Sequence, residues 1–260
     1  MEPLEFFLAS RFMIFTLVLA RIGGMVVIAP IFSTLSLPRQ VRALLAVAMA
    51  LIVTPVYLNA TLPPVESLAT YGHLMANEVA IGLLLGLGVT IIFSGVQVAG
   101  QIVSQMSGIS LAEVFDPGFD EQVSVFTHLF YYVTMAVFVA IGGHRIMIEA
   151  VLDTFAWAPP GHAELGDTYV DALTALMTQS FMLGVQASAP LIVALLLATI
   201  VLGLISRTLP QINVIAVGFG LNSFLTLALM LMSMGAVAWT FQEPTIDALH
   251  RLQEALIDHG

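Results

Sequence analysis

Few residues of this chain have the type and spacing that catalysis requires. Cysteine is absent, which excludes thiolate nucleophiles, disulfide bonds and cysteine-ligated metals. The sequence contains neither a GxSxG nucleophile elbow nor a phosphate-binding GxxxxGK(S/T) loop. Six histidines are present, but no two are four residues apart and none lies in an HExxH motif; they are His73, His128, His144, His162, His250 and His259. We therefore expect no enzymatic activity, no metal site and no cofactor.

Arg21 is a charge in an otherwise apolar stretch, residues 17–24. A charge at the centre of a bilayer costs about 2.5–3.5 kcal/mol on insertion scales. Arg21 must therefore face protein, water or an acidic partner, and a role in packing or subunit contact fits it better than catalysis. Arg145, Glu149 and Asp153 are four residues apart, which predicts stabilising contacts along one helical face.

Two polar stretches interrupt the apolar sequence. Residues 207–214 hold Arg, Pro, Gln and Asn between two long apolar runs, which predicts the tip of a membrane hairpin or a plain water-facing turn. Residues 101–110 alternate small polar and apolar side chains, and an acidic loop, 113–121, follows. This strip predicts either irregular backbone around an enclosed cavity or a third helix that continues into solvent.

The elements that must position these residues are membrane helices. The chain is 59% hydrophobic and only 9% charged, with a mean hydropathy of +1.00. A soluble domain carries about 25% charged residues, so this composition predicts an integral membrane protein. The net charge of −10 and the absence of lysine argue against nucleic acid as a partner.

The sequence predicts an all-α, polytopic membrane protein of about six apolar helices or hairpins. No internal repeat or linker divides the chain, and one domain is expected. The spacing of Gly82 and Gly86 matches the small-residue pattern through which membrane helices pack closely. The apolar segments lie near residues 12–32, 43–62, 78–101, 123–142, 173–206 and 212–241.

The placement of arginine predicts the orientation of these segments. Arg39 and Arg42 lie between the first and second segments, and Arg207 lies between the fifth and sixth. Because arginine-rich connections stay in the cytoplasm, we expect an even number of spans with both termini outside it. The first ten residues hold two acids and no base, which is unlike a secretory signal, so we expect the N-terminus to be retained.

Three separated sets of residues resemble a known family when they are taken in order. They are RIGGM at 21–25, APIF at 29–32, LPRQVR at 37–42 and Pro55; QMSG at 105–108, FDP at 115–117, GH at 143–144, LDTF at 152–155 and PPG at 159–161; and PQINV at 210–214, VGF at 217–219 and Leu221. Together they resemble the FliR family, the membrane component of the flagellar type III protein export gate, which is similar to a component of virulence injectisomes. One departure is Asn222, where the family usually has a basic residue.

The resemblance implies a non-enzymatic subunit of a protein-conducting gate in the bacterial inner membrane, at the flagellar basal body. Its implied partners are FliP and FliQ, FlhB-type and FlhA-type export proteins, and unfolded substrates in transit. It also implies a FliP-like part at about 1–170, a FliQ-like hairpin at about 171–242 and an acidic tail at 243–260.

The resemblance further implies roles for particular residues. Arg21, Arg39 and Arg42 would make subunit contacts. A cytoplasm-facing constriction at the hairpin tip would include Pro210, Gln211, Asn213 and Phe219. A plug loop that closes the pore would include Met106, Ser107, Gly108, Ile109, Ser110, Leu111, Phe115, Asp116 and Pro117.

Two other functions stay open at this stage. An injectisome export subunit shares most of the same motifs, although residues 217–219 favour the flagellar branch. A solitary secondary transporter or channel would also use kinked apolar helices. The sequence shows no internal pseudo-symmetry and no acid deep in a segment, both of which count against a transporter.

Overall fold

The structure is a computed structural model. It describes residues 3–33, 37–58, 61–65, 67–108, 124–162, 168–208, 218, 220–232, 235 and 246–247. Within these ranges the regular elements are all helical and none is a strand, which confirms the predicted all-α class.

Eight α-helices follow one another along the described chain. A short 3-10 turn, Thr54–Tyr57, extends the third helix. The helices are α1 (Pro3–Ile28), α2 (Pro30–Ser33), α3 (Arg39–Val53), α4 (Leu68–Ser107), α5 (Val125–Ala140), α6 (Gly143–Trp157), α7 (Thr168–Thr208) and α8 (Gly220–Met232).

These helices account for the six predicted apolar segments. Four of them, or five if α5 and α6 are counted as one broken span, are long and apolar enough to cross a membrane, and α8 is a shorter apolar helix. Helices α4 and α7 have 40 and 41 residues. At 1.5 Å per residue each extends about 60 Å, twice the thickness of a hydrocarbon core of about 30 Å.

Local sequence signals explain several helix boundaries. Ser124 is the N-cap of α5, where its side-chain oxygen accepts a hydrogen bond of 3.3 Å from the main-chain N–H of Phe126. Gly142 separates α5 from α6 and has a φ of +75°, a left-handed conformation that suits glycine. Gly108, with a φ of +81°, follows the last residue of α4 in the same way.

The polar strip at 101–110 is helical as far as the structure describes it. Residues 101–107 continue α4, so the prediction of irregular backbone is wrong for them and the alternative of a continuing helix is correct. The strip does not simply run into solvent, because Val103, Ser104 and Ser107 are buried. Its alternation of small polar and apolar residues lets one face of α4 pack while the other stays exposed.

The described residues form two compact units. The first takes in the described residues of 1–91, 142–176 and 245–260, and the second takes in those of 92–141 and 177–244. The predicted boundary near residue 170 concerns the implied likeness to FliP and FliQ rather than compactness, and it stays a prediction.

In the first unit, α1 and α4 approach so closely that the contact requires glycine. A methyl group at Gly82 would overlap the main-chain carbonyl oxygen of Arg21. A methyl group at Gly86 would lie 3.1 Å from the main-chain oxygen of Met25. These two glycines therefore act as the small-residue packing pattern that their spacing predicts.

The second unit has a hydrophobic core of its own. A methyl group at Gly95 of α4 would overlap the main-chain oxygen of Ser180 in α7, so these helices also meet at glycine. The core side chains come from α4, α5, α7 and α8, and they are Val96, Ala99, Val103, Phe126, Phe130, Leu183, Ala187, Leu191, Leu195 and Met230.

Candidate functional site: a buried arginine–glutamate pair

Three helices of the first unit bring their polar side chains to one buried point. Arg21 lies in α1, Glu78 in α4 and Thr154 in α6. The side chains of Arg21 and Glu78 are both 0% exposed. Glycine at position 82, one turn after Glu78, allows α4 to lie against the main chain of Arg21, which brings the two charges into contact.

The guanidinium of Arg21 is held by three oxygen atoms at once. Its Nε donates to Oε2 of Glu78 at 2.6 Å, and its Nη1 donates to Oγ1 of Thr154 at 2.9 Å. Its Nη2 donates to the main-chain oxygen of Ala158 at 3.0 Å. The planar group also lies 4.1 Å from the ring centroid of Phe155, a cation–π contact. Only arginine offers donors in a rigid fork with this reach.

The carboxylate of Glu78 is bound on both oxygens. While Oε2 pairs with Arg21, Oε1 accepts a hydrogen bond of 2.8 Å from the main-chain N–H of Gly161. Burying two charges costs several kcal/mol for each ion, and only good geometry with further hydrogen bonds offsets that cost. The hydrogen bonds of Arg21 and Glu78 meet this condition. Of the surroundings that the sequence allows for Arg21, the structure therefore shows an acidic partner, and that partner lies within the same chain.

The chemistry of this site is structural. Both carboxylate oxygens and all three nitrogens of the guanidinium are engaged with protein, so neither group is poised to attack or to transfer a proton to a substrate. Among the residues that the structure describes, no three histidine, aspartate or glutamate side chains come together as a metal site.

The other arginines predicted to make subunit contacts lie at the surface of α3. Arg39 is exposed, and Arg42 is half-buried, with Nε and Nη2 both 3.3 Å from the main-chain oxygen of Leu37. Their subunit contacts stay predictions, as does that of Arg21, whose side chain this chain already encloses. The predicted pairing along α6 is seen for Arg145 and Glu149, which are 2.8 Å apart at the surface.

The structure describes three of the predicted plug residues. Met106 and Ser107 belong to the last turn of α4, and Gly108 follows it. Met106 packs against the core of the second unit, and Ser107 donates to the main-chain oxygen of Ser104 at 2.8 Å. The remaining plug residues lie outside the described residues; they are Ile109, Ser110, Leu111, Phe115, Asp116 and Pro117.

The hairpin tip lies outside the described residues as well, at Pro210, Gln211, Asn213 and Phe219. Next to it, Arg207 is exposed at the end of α7. The roles of the tip residues and of the plug stay predictions.

Sequence reasoning missed Glu78, Thr154 and Ala158 as partners of Arg21, and it missed Gly161 as the second partner of Glu78. One signal was available, because Glu78 is the single charged residue between positions 68 and 107. A lone acid in one apolar helix and an arginine in the middle of another predict an ion pair, since each would otherwise be buried without a partner. The contacts to main-chain atoms leave no comparable trace in the sequence.

Long apolar helices, glycine contacts and a buried structural ion pair together define a polytopic α-helical membrane protein. Residues 12–246 match the family described as bacterial export proteins, family 1. Since this match covers most of the chain, the protein belongs to that family.

Curated relatives cover most of the same length. The chain is 28% identical to the flagellar biosynthetic protein FliR of Caulobacter vibrioides, over 89% of this chain and 94% of the relative. It is 29% identical to FliR of Escherichia coli, over 85% of this chain and 84% of the relative. It is also 27% identical to the secretion system apparatus protein SsaT of Salmonella typhimurium, over 62% of each chain.

Proposed function

We propose that this protein is a non-enzymatic subunit of the flagellar type III protein export gate and forms part of its protein-conducting pore. The observation that carries this proposal is the family match over residues 12–246, together with relatives named FliR that align over most of their length. Two of these relatives are named flagellar biosynthetic proteins, and a third is named a secretion system apparatus protein. The site agrees with this role, because its charged groups are used to hold helices together.

The exposed surface of α7 supports an assembly with other subunits. Only 17% of the most apolar stretch of α7 is buried by the chain, compared with 56% for α4. Exposed apolar side chains extend from Met177 to Leu204. That distance is about 40 Å along the helix, more than a hydrocarbon core of about 30 Å covers without a strong tilt. This excess length supports the proposal that another protein covers part of this face.

The proposed partners are FliP-type and FliQ-type gate subunits, with FlhB-type and FlhA-type export proteins nearby. Unfolded export substrates would pass through the assembled pore. The place of action would be the bacterial inner membrane at the flagellar basal body. The FliP-like part would extend to about residue 170 and the FliQ-like hairpin to about residue 242.

The complex can be tested directly by native mass spectrometry. We expect the chain, co-expressed with FliP-type and FliQ-type proteins, to purify as one hetero-oligomer that contains a single copy of this subunit. Expression of the chain without partners is the control. A monomer or homodimer that is unaffected by the partners would contradict the proposal and favour a solitary transporter.

We also propose that the predicted plug loop closes the pore, and ion conductance of the reconstituted gate tests this. Deleting residues 109–117 removes six of the nine predicted plug residues and leaves the last turn of α4, which holds Met106 and Ser107, intact. We expect the reconstituted gate to leak ions that the wild-type gate excludes, since nothing would then close the pore. A gate that assembles normally and conducts no more than wild type would show that this segment is not the plug.

An injectisome subunit is a second candidate, favoured by the likeness to SsaT. That likeness covers 62% of this chain, whereas the likeness to FliR of Caulobacter vibrioides covers 89%. The flagellar assignment is therefore better supported. Restoration of swimming in a strain that lacks its own FliR would separate the two, because an injectisome subunit should not restore it.

A further inference from the structure

The chain leaves helix α6 through a turn, residues 158–161, whose first two residues are half-buried and whose last two are buried. Ala158 has extended backbone angles, and its N–H donates to the main-chain oxygen of Thr154 at 2.9 Å. Pro159 and Pro160 have no N–H to donate. Gly161 has a φ of +87°, the left-handed conformation that favours glycine. Pro160 and Gly161 are both buried, so the N–H of Gly161 needs a partner from the protein.

The ion pair supplies the hydrogen bonds that the turn lacks. The carbonyl oxygen of Ala158 accepts from Nη2 of Arg21, and the N–H of Gly161 donates to Oε1 of Glu78. Arg21 and Glu78 thus bind each other, and each also binds one main-chain group of the turn. In a membrane protein, irregular backbone is tolerated only where other protein groups satisfy it.

Helices α1 and α4 have a second contact besides the ion pair. Those helices already meet at Gly82 and Gly86, where their main chains are in contact. The turn lies against side chains of two other parts of the chain: a methyl group at Gly161 would lie 3.1 Å from Pro63 and 3.5 Å from both Leu62 and Leu17. The turn therefore packs α6 against α1 and against the segment between α3 and α4.

We infer that Arg21 and Glu78 are positioning residues for the turn at 158–161, which they hold inside the first unit through its main-chain groups. Their opposite charges make this possible in a buried place, since one partner offers only donors and the other offers only acceptors. These contacts lie within a single chain, so a test on the chain without partner subunits gives the same answer whether or not the export-gate proposal is correct.

The double variant Arg21→Met, Glu78→Met tests whether the pair holds the turn or only attracts α1 to α4. Replacing a buried ion pair by apolar residues of similar size is often neutral for global stability. If the pair only joined α1 to α4, the turn would stay closed in the double variant. If the pair holds the turn, Ala158 and Gly161 lose their partners and the turn opens while the helices stay packed.

Hydrogen–deuterium exchange on the full chain in lipid nanodiscs, with no partner subunits present, measures this directly. We expect the amide of Gly161 to exchange about tenfold faster or more in the double variant, because its N–H has lost its acceptor on Glu78. The amides of Ala158 and His162 donate to the main-chain oxygens of Thr154 and Pro159, and they should also exchange faster because the turn that holds them opens. Amides around Gly82 should exchange as in wild type. Wild-type exchange at all three amides of the turn would overturn the inference.

Arg21→Lys is a second variant, and it keeps the charge of the site. One ammonium group cannot reach the three acceptors that the guanidinium fork binds. We therefore expect exchange in the turn to increase in this variant as well. Wild-type protection of the turn in Arg21→Lys would show that charge alone is sufficient, and it would overturn the positioning role of the guanidinium.

Discussion

Replacing Glu78 with leucine should lower the stability of the protein by about 3–5 kcal/mol, the usual cost of removing one partner from a buried ion pair. The guanidinium of Arg21, which is 0% exposed, would keep its charge and lose its acidic partner. The N–H of Gly161 would lose its acceptor at the same time. The measurement is the melting temperature of the purified chain in detergent, together with its level in the membrane.

Glu149→Leu is the matched control for this variant. It makes the same chemical change in another arginine–glutamate pair of the chain, with an N···O distance of 2.8 Å. The two side chains of that pair are 78% and 51% exposed, so water can replace the lost contact. We expect no measurable change from the control. If both variants melted at the same temperature, the buried pair would not be a stabilising element.

Replacing Gly82 with alanine should also destabilise the first unit strongly. The added methyl group would overlap the carbonyl oxygen of Arg21 and lie 2.9 Å from the main-chain nitrogen of Met25. Both neighbours are main-chain atoms, so α1 must move away from α4 to relieve the overlap. Overpacking of this kind costs about 1–3 kcal/mol, and the shift would also separate Arg21 from Glu78.

Gly72→Ala is the control on the same helix. A methyl group at Gly72 would have no atom within 4 Å. Alanine is a better helix former than glycine by about 0.5–1 kcal/mol, so this variant should be as stable as wild type or slightly more stable. We therefore expect the melting temperature to fall in Gly82→Ala and to stay the same or rise slightly in Gly72→Ala. Equal effects would show that α1 and α4 do not meet closely at Gly82.

The sequence by itself determined the class of protein and the close contact between helices. Its apolar content predicts membrane helices because water cannot solvate such a surface, and the segment pattern depends only on local composition. The glycine pattern at 82 and 86 predicts close packing because it lies on one helical face. The family resemblance was available for the same reason, since its motifs are short and continuous in the chain.

Only the tertiary structure decided what Arg21 does. Its acidic partner is 57 positions away, and its other two hydrogen-bond acceptors lie 133 and 137 positions away. One of those acceptors is the main-chain oxygen of Ala158, and any residue type at that position would offer the same atom. The sequence could show that a buried charge needs a partner, because desolvation makes an unpaired charge costly. It could not show which main-chain groups fold back to meet that charge.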